Sequence, residues 1–260
     1  VFAKDENIGI AYGMGLTAEN VATQWKISRE DQDAFAVESH HRASAAMASG
    51  EFKPEILPYT AIDRFPDSQT MQVRVRERLV ENDEGPRFDC NLQALAKLKP
   101  AFAARGSVTA GNSSQMSDGA GAVLLMSERL VKQLGLKPLA RFVSYAVVGV
   151  SPRIMGIGPI AAIPRALELA GLQQDDMDWI ELNEAFAAQS LAVIRDLGLD
   201  PAKVNPLGSA IALGHPLGAT GAIRVATLVH GLRRRGGRYG MVTMCIGTGM
   251  GAAGVFEALR

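Results

Sequence analysis

The sequence predicts an α/β fold built in layers, on three observations. From about residue 120 onward, apolar runs of strand length alternate with amphipathic segments of helix length. The first of these runs, Ala120-Gly-Ala-Val-Leu-Leu-Met126, is continuously apolar, as a strand buried on both faces would be. The chain closes on a predicted hairpin, 240–246 with 252–258, which makes the last two strands antiparallel.

Before that rhythm starts, residues 17–50 read as helices. Thr17 is placed to cap a short one running through Trp25. Ser28-Arg-Glu-Asp31 reads as a capping box opening a longer one, whose apolar positions Phe35, Ala36, Ala43, Ala46 and Met47 recur at helical spacing until Gly50 ends it. Residues 54–90 carry Pro54, Pro58, Pro66 and Pro86 and a mixed charge run, and predict a surface excursion with one or two strands. Residues 91–104 predict an amphipathic helix ending near Phe102. Val108-Thr-Ala-Gly-Asn-Ser-Ser-Gln-Met-Ser-Asp-Gly119 is a run of small, polar, turn-forming residues. Past residue 126 the prediction is a strand at 139–149, a helix at 160–170 ended by Gly171, and a strand at 178–182. A helix at 184–197 opened by Asn183 follows, then a helix at about 217–235 and the final hairpin.

Composition narrows the function. The 260 residues are 47% hydrophobic and 21% charged, with 27 basic and 27 acidic side chains, so nothing favours nucleic acid or an anionic membrane as a partner. The basic cluster Arg233-Arg-Arg-Gly-Gly-Arg238 closes a predicted helix, where cations complement the helix dipole. Two cysteines make no disulfide framework, which points to a reducing compartment. No apolar run reaches the ~18 residues of a membrane span. No signal peptide opens the sequence, and the first residue is Val1, so a fragment or a processed chain is expected. His40 and His41 are adjacent and diverge on a helix with no third ligand nearby, so no metal site is expected there. Gly249-Met-Gly-Ala-Ala-Gly254 matches a dinucleotide fingerprint but lacks a following helix and acidic residue. There is no G-x-S-x-G elbow, P-loop or H-E-x-x-H.

The chemistry gathers in two glycine-rich stretches, Asn205-Pro-Leu-Gly-Ser-Ala-Ile-Ala-Leu-Gly-His-Pro-Leu-Gly-Ala-Thr-Gly221 and Met244-Cys-Ile-Gly-Thr-Gly-Met-Gly251. His215 lies between a glycine and a proline, and Cys245 ends an apolar run just before Gly247. Asn183 follows the strand pattern Trp179-Ile-Glu-Leu182. Turns of this kind cluster at one end of a sheet, where ligands bind. A histidine, a thiol and an amide there suit acyl transfer, as base, thiol and oxyanion donor. Cys90 has neither a glycine turn nor a histidine beside it in sequence and reads as an ordinary thiol.

Asn183-Glu-Ala-Phe, Gly214-His-Pro-Leu-Gly-Ala-Thr-Gly and Cys245-Ile-Gly-Thr-Gly resemble the three C-terminal signature blocks of the thiolases. Tyr12-Gly-Met-Gly-Leu-Thr-Ala-Glu-Asn20, Ser28-Arg-Glu-Asp-Gln-Asp-Ala-Phe35 and Val108-Thr-Ala-Gly-Asn-Ser-Ser114 also resemble that family, so the likeness covers nearly all of the chain. It implies a layered αβαβα fold, here its C-terminal half plus a loop domain. Residues 1–105 would be the loop domain, mostly helical and irregular at 54–90. Residues 106–134 would end the N-terminal half, and 135–260 would form the C-terminal domain. The implied reaction is thiolytic cleavage of a 3-oxoacyl-CoA by CoA, or the reverse Claisen condensation to acetoacetyl-CoA, through a cysteine acyl-enzyme. His215 would activate the nucleophile and polarise the thioester oxygen. Cys245 would be the acid/base, Asn183 would hold an oxyanion-hole water, and the Gly247 amide would form part of a second oxyanion hole. Met14, Arg87, Phe102, Ala110, Ser114, Met116 and Phe186 would line the CoA and pantetheine tunnel. No cofactor or metal is implied, CoA being a substrate. A homodimer or homotetramer, alone or with a β-oxidation partner subunit, is implied in the cytoplasm, or in an organelle matrix of a eukaryote. Glu84-Gly-Pro-Arg-Phe-Asp89 resembles the broader-chain, degradative members.

The family's acyl-accepting cysteine sits in a Cys-x-Ser-Gly context that these 260 residues do not contain, and Asp89-Cys-Asn91 does not resemble it. The resemblance therefore implies that an N-terminal part carrying the nucleophile is lacking, and that the chain alone is inactive. Leu207, Ser209, Ile223 and Thr248 also depart from the usual Asn, Gly, Arg and Gly. The alternatives are a non-catalytic acyl-CoA- or lipid-binding relative, and a β-ketoacyl or HMG-CoA synthase, which shares the fold but lacks the C-terminal Cys-x-Gly-x-Gly.

Overall fold

A computed structural model describes residues 13–259, so Tyr12 of the first motif lies outside the described residues. Its centre is a four-stranded sheet of β3 (Ala140–Gly149), β4 (Met177–Leu182), β5 (Tyr239–Ile246) and β6 (Met250–Ala258), in the order β3-β6-β5-β4. β4 and β5 run parallel, and β6 is antiparallel to both of its neighbours. Adjacent residues of β4 and β5 point to opposite faces. Ile180 and Met241 join one core with Ala162, Ile163, Ala166 and Leu167 of α5 (Gly158–Ala170) and Val193 of α6 (Ala187–Leu197). Trp179 and Val242 join another with Leu228 and Leu232 of α8 (Leu217–Arg235). The sheet is thus covered on both sides, which explains why β4 is buried at every residue but Asp178.

Two glycines let these layers close. A Cβ on Gly251 would lie 2.1 Å from the Gly158 carbonyl, so the start of α5 rests on the backbone of β6. A Cβ on Gly231 would stand 2.5 Å from the Trp179 ring.

Around this core, α1 (Met14–Gln24) packs on α6 and on the 3-10 turn Pro152–Ile157. α2 (Arg29–Ser49) packs on α6 and on α7 (Ala210–Leu213). Ser28 caps α2, its hydroxyl accepting from Asp31 N at 3.0 Å, and Gly50 ends it in a left-handed conformation. The excursion is a hairpin of β1 (Tyr59–Asp67) and β2 (Gln72–Val80), whose face of Ile62, Val73, Val75 and Leu79 is exposed.

Four expectations are corrected. Thr17 caps nothing: α1 begins at Met14, and the Thr17 hydroxyl donates back to Met14 O at 2.7 Å. The helix expected at 91–104 is one turn, α3 (Leu92–Leu95), capped by Asn91. Lys99-Pro100 follows, and the residue before a proline is held out of the helical region. Residues 120–126 form no strand. They run without regular structure between residue 119 and α4 (Glu128–Gln133), with Leu124 84% and Leu125 80% exposed. A strand exists only with a partner, and among the described residues none pairs with this run. The fourth is Asn183, which does not open α6. That helix starts at Ala187, after an extended Phe186.

Candidate functional site

Two side chains of interest sit at the carboxyl ends of the parallel pair. Asn183 leaves β4 with its N–H on Thr243 O at 3.0 Å, and Cys245 stands two residues beyond Thr243 on β5. Asn205 fixes the end of β4: its Oδ1 accepts from Leu182 N, and its Nδ2 donates to Leu182 O, both at 2.8 Å. The same Nδ2 donates to Glu184 Oε1, while the other oxygen of Glu184 accepts from Ser39 Oγ at 2.6 Å and Ile211 N at 3.3 Å. This buried carboxylate ties α2, the end of β4 and α7 together. Burial pushes its pKa up against those hydrogen bonds.

Asn183 is 0% exposed, yet neither its Nδ2 nor its Oδ1 has a hydrogen-bond partner. An unmet buried polar group costs about 1–3 kcal/mol. Among the described residues Asn183 alone leaves both a side-chain nitrogen and a side-chain oxygen so unmet, which suits it to hold a polar group. Cys245 packs with Met155, Ala185 and Phe186, and its thiol donates to Gln189 Oε1 at 3.8 Å. Burial pushes that thiol up to about 12, so it holds its proton at neutral pH. Gly247 has open space where a Cβ would stand.

His215 lies in the turn between α7 and α8. Gly214 before it has φ +91 and would drive a Cβ to 2.2 Å from Ser117 Oγ, so the loop passes tightly under residue 117. The His215 ring meets Thr220, Nδ1 to Oγ1 at 2.7 Å. Burial first, then the Arg224 cation, lower its pKa, so the imidazole is neutral near pH 7. Arg224 is 2% exposed, with Nη1 3.5 Å from Glu181 Oε2, and burial holds Glu181 up to about 7 despite that cation.

The polar segment 107–117 is tied to α1, to α2 and to the loop after β4. Glu19 accepts from Ser107 N and Val108 N, and Asn112 bridges Thr109 N and Asp33. Ser114 N donates to Ala185 O at 2.9 Å, and Gln115 Nε2 donates to Gly85 O and Ala212 O. Phe102 meets Phe186 edge to face, centroids 5.9 Å apart, and covers Gly15, next to Met14 on α1. The structure thus joins Phe102, Phe186 and Ser114 to the surroundings of Cys245, while Arg87 connects through Gly85 and Gln115 to the His215 loop. Met116, at 103%, and Ala110 are exposed and touch no other expected tunnel residue through a hydrogen bond or ring contact. No hydrogen bond joins His215 to Cys245.

Gln189, Thr220 and Gln115 were not foreseen. Each acts as partner of another residue, and the one sequence signal is Thr220's place five residues after His215. Among the departures, Ser209 has φ −149 and is unstrained, and Leu207 is buried in the core. Thr248 has φ +68, a left-handed conformation that suits glycine better. Cys90 is buried beside Ala36, Leu95, Ala187 and Ile211, and burial raises its pKa, so it is a poor nucleophile.

Arg87 N donates to His40 Nδ1 at 3.1 Å. Burial, then Arg87 and His41, lower His40 to about 4 from an ordinary 6.5. A depressed histidine favours folding above its unfolded pKa, and that stability is lost as pH falls through 6.5 toward 4. His40→Asn is therefore expected to abolish about 2 kcal/mol of the stability lost between pH 7 and 5. Urea unfolding at both pH values checks this, and equal losses in the two proteins would remove His40 as the cause.

Comparison with known proteins gives two family models. "Thiolase, N-terminal domain" matches residues 5–129, and "Thiolase, C-terminal domain" matches residues 136–258. The 3-ketoacyl-CoA thiolase of Bacillus subtilis (strain 168) is 55% identical over 246 residues, which are 94% of this chain and 62% of that protein. The peroxisomal 3-ketoacyl-CoA thiolase B of Rattus norvegicus is 56% identical over 247 residues, 94% of this chain and 57% of that protein. The crystal structure of human mitochondrial 3-ketoacyl-CoA thiolase in complex with CoA superposes with a TM-score of 0.89 at 47% identity, over 96% of this chain and 60% of that one. The chain spans about three fifths of the length of these proteins. Among the described residues no helix is long and apolar enough to cross a membrane, and no group of three or more His, Cys, Asp and Glu could hold a metal ion.

Proposed function

Since the chain belongs to the thiolase family, we propose that it supplies the acid/base and oxyanion-binding side of a thiolase active site. The reaction is thiolysis of 3-oxoacyl-CoA by CoA, or its reversal, with CoA as substrate and no cofactor. The observation that carries this reading is the buried, unpartnered amide of Asn183 at the sheet end where Cys245 stands. A water held by that amide would stabilise a thioester oxyanion. His215, neutral by burial, takes the proton of the nucleophilic thiol at Nε2. Cys245, protonated by burial, gives a proton to the leaving carbanion and takes one from the incoming thiol. The Gly247 amide supports the second oxyanion.

In this reading residues 1–105 are the loop domain, 106–134 end the N-terminal half, and 135–260 form the C-terminal domain. Met14, Arg87, Phe102, Ala110, Ser114, Met116 and Phe186 line the CoA tunnel. Phe102 and Phe186 are the best supported, through their ring contact. The names of the relatives favour 3-oxoacyl-CoA over acetoacetyl-CoA alone, and a soluble compartment, cytoplasm or organelle matrix, suits the reaction. A homodimer or homotetramer is the expected assembly.

The nucleophilic cysteine is neither Cys90 nor Cys245. The test is thiolysis of acetoacetyl-CoA and of a longer 3-oxoacyl-CoA by these residues joined to a relative's segment bearing Cys-x-Ser-Gly. Absence of turnover, with CoA still bound, would favour the non-catalytic acyl-CoA-binding alternative.

A further inference from the structure

Cys245 stands among side chains of carbon and sulfur, Met155, Ala185 and Phe186. Among the described residues its thiol has one polar partner, Oε1 of Gln189 at 3.8 Å. Gln189 is 1% exposed and lies in the first turn of α6, where its amide is held from two sides. Nε2 donates to Ser190 Oγ at 3.0 Å, so the amide turns its oxygen and not its nitrogen to Sγ. The stem of the side chain is pressed by the 3-10 turn Pro152–Ile157: a Cβ on Gly156 would stand 2.8 Å from Gln189 Cβ.

A carbonyl oxygen accepts from a thiol and has no hydrogen to offer a thiolate. In apolar surroundings its dipole also opposes the charged form. We propose that Gln189 is a positioning residue for Cys245, whose carbonyl sets the resting direction of the S–H bond and drives the sulfur back to the thiol after each proton it gives. When carbon–carbon cleavage leaves a carbanion, the hydrogen turns about Cβ–Sγ from Oε1 toward it. The S–H bond breaks as a C–H bond forms, and a thiolate is left facing the carbonyl. An incoming thiol has an ordinary pKa of about 8.5, so this opposed thiolate takes its proton and the S–H bond forms again. One proton leaves the sulfur and one returns, and nothing is oxidised. This use of the bond rests on the thiolase reading, but the bond itself does not.

The test uses residues 1–260 carrying Cys90→Ala, so that Cys245 is the one thiol. Its infrared S–H stretch is expected below that of an alkyl thiol dissolved in alkane, because donation weakens the bond. Gln189→Met is expected to raise the band to the alkane position. Gln189→Glu, which keeps an acceptor oxygen, is expected to leave it low. Alkylation by iodoacetamide at a fixed, mildly alkaline pH reports the thiolate. It is expected to be about threefold faster or more in Gln189→Met, the worth of one weak hydrogen bond, and no faster than the parent in Gln189→Glu. A parent band at the alkane position would overturn the inference, even if Gln189→Met does not fold. So would a low band or an unchanged alkylation rate in Gln189→Met, or equal acceleration in both variants, the mark of a loosened pocket. A raised band and faster alkylation in Gln189→Met alone support it whether or not thiolysis is found, and missing thiolysis then counts against the thiolase reading alone.

Discussion

Thiolysis of acetoacetyl-CoA by residues 1–260 alone is expected to be undetectable, at least about 10⁴-fold below the same residues joined to a segment with the nucleophilic cysteine. The reason is chemical. An acyl-enzyme needs a thiolate, and both thiols of this chain are held protonated by burial. Cys90 is also walled in by Ala36, Leu95, Ala187 and Ile211, with no base bonded to it. What remains is a donor, a base and an amide with nothing to acylate. Turnover by the 260 residues that vanished in Cys90→Ala would show that Cys90 is the nucleophile and that burial does not silence it. Turnover that survived this change would leave Cys245 as the candidate, its role then reversed.

In the joined, active form, His215→Ala and Cys245→Ala are each expected to lower kcat by about 10²-fold or more, with a smaller effect on KM. The two losses have different origins. Without His215 the nucleophile must ionise unaided at neutral pH. Without Cys245 the carbanion formed on carbon–carbon cleavage has no positioned proton, and acylation is the step that slows. Cys245→Ser keeps a donor of similar size next to Gln189 and is expected to recover part of the rate. Steady-state kinetics with acetoacetyl-CoA and a longer substrate measures all three, and rates within threefold of wild type would remove the residue concerned from the mechanism.

What could be read in advance follows from how local each cause is. β3 to β6, α5 and α8 were legible because their burial is two-sided or amphipathic, and periodicity records it. The ends of α2 and α5 were legible because Ser28, Gly50 and Gly171 act on their own backbone. The run 120–126 was misread because composition makes a strand possible but only a neighbouring strand makes it one. Asn183 was misread as a cap because its amide type suits one, while the helix waits until Ala187 and leaves the amide unpaired. His215 stands in the glycine turn where the sequence placed it, and Cys245 is one residue from the end of β5. Of their partners, Thr220 lies five residues after His215, whereas Gln189 depends on how β5 meets α6, which no spacing records.

The unpaired apolar run at 120–126 has a practical consequence in the test tube. The side chains of Leu124 and Leu125 face solvent, and among the described residues the run pairs with no strand. That combination is a ready template for strand addition by another chain. Residues 1–260 are therefore expected to lose solubility as concentration rises. A charge at Leu124 or Leu125 would raise the solubility limit without touching a site residue.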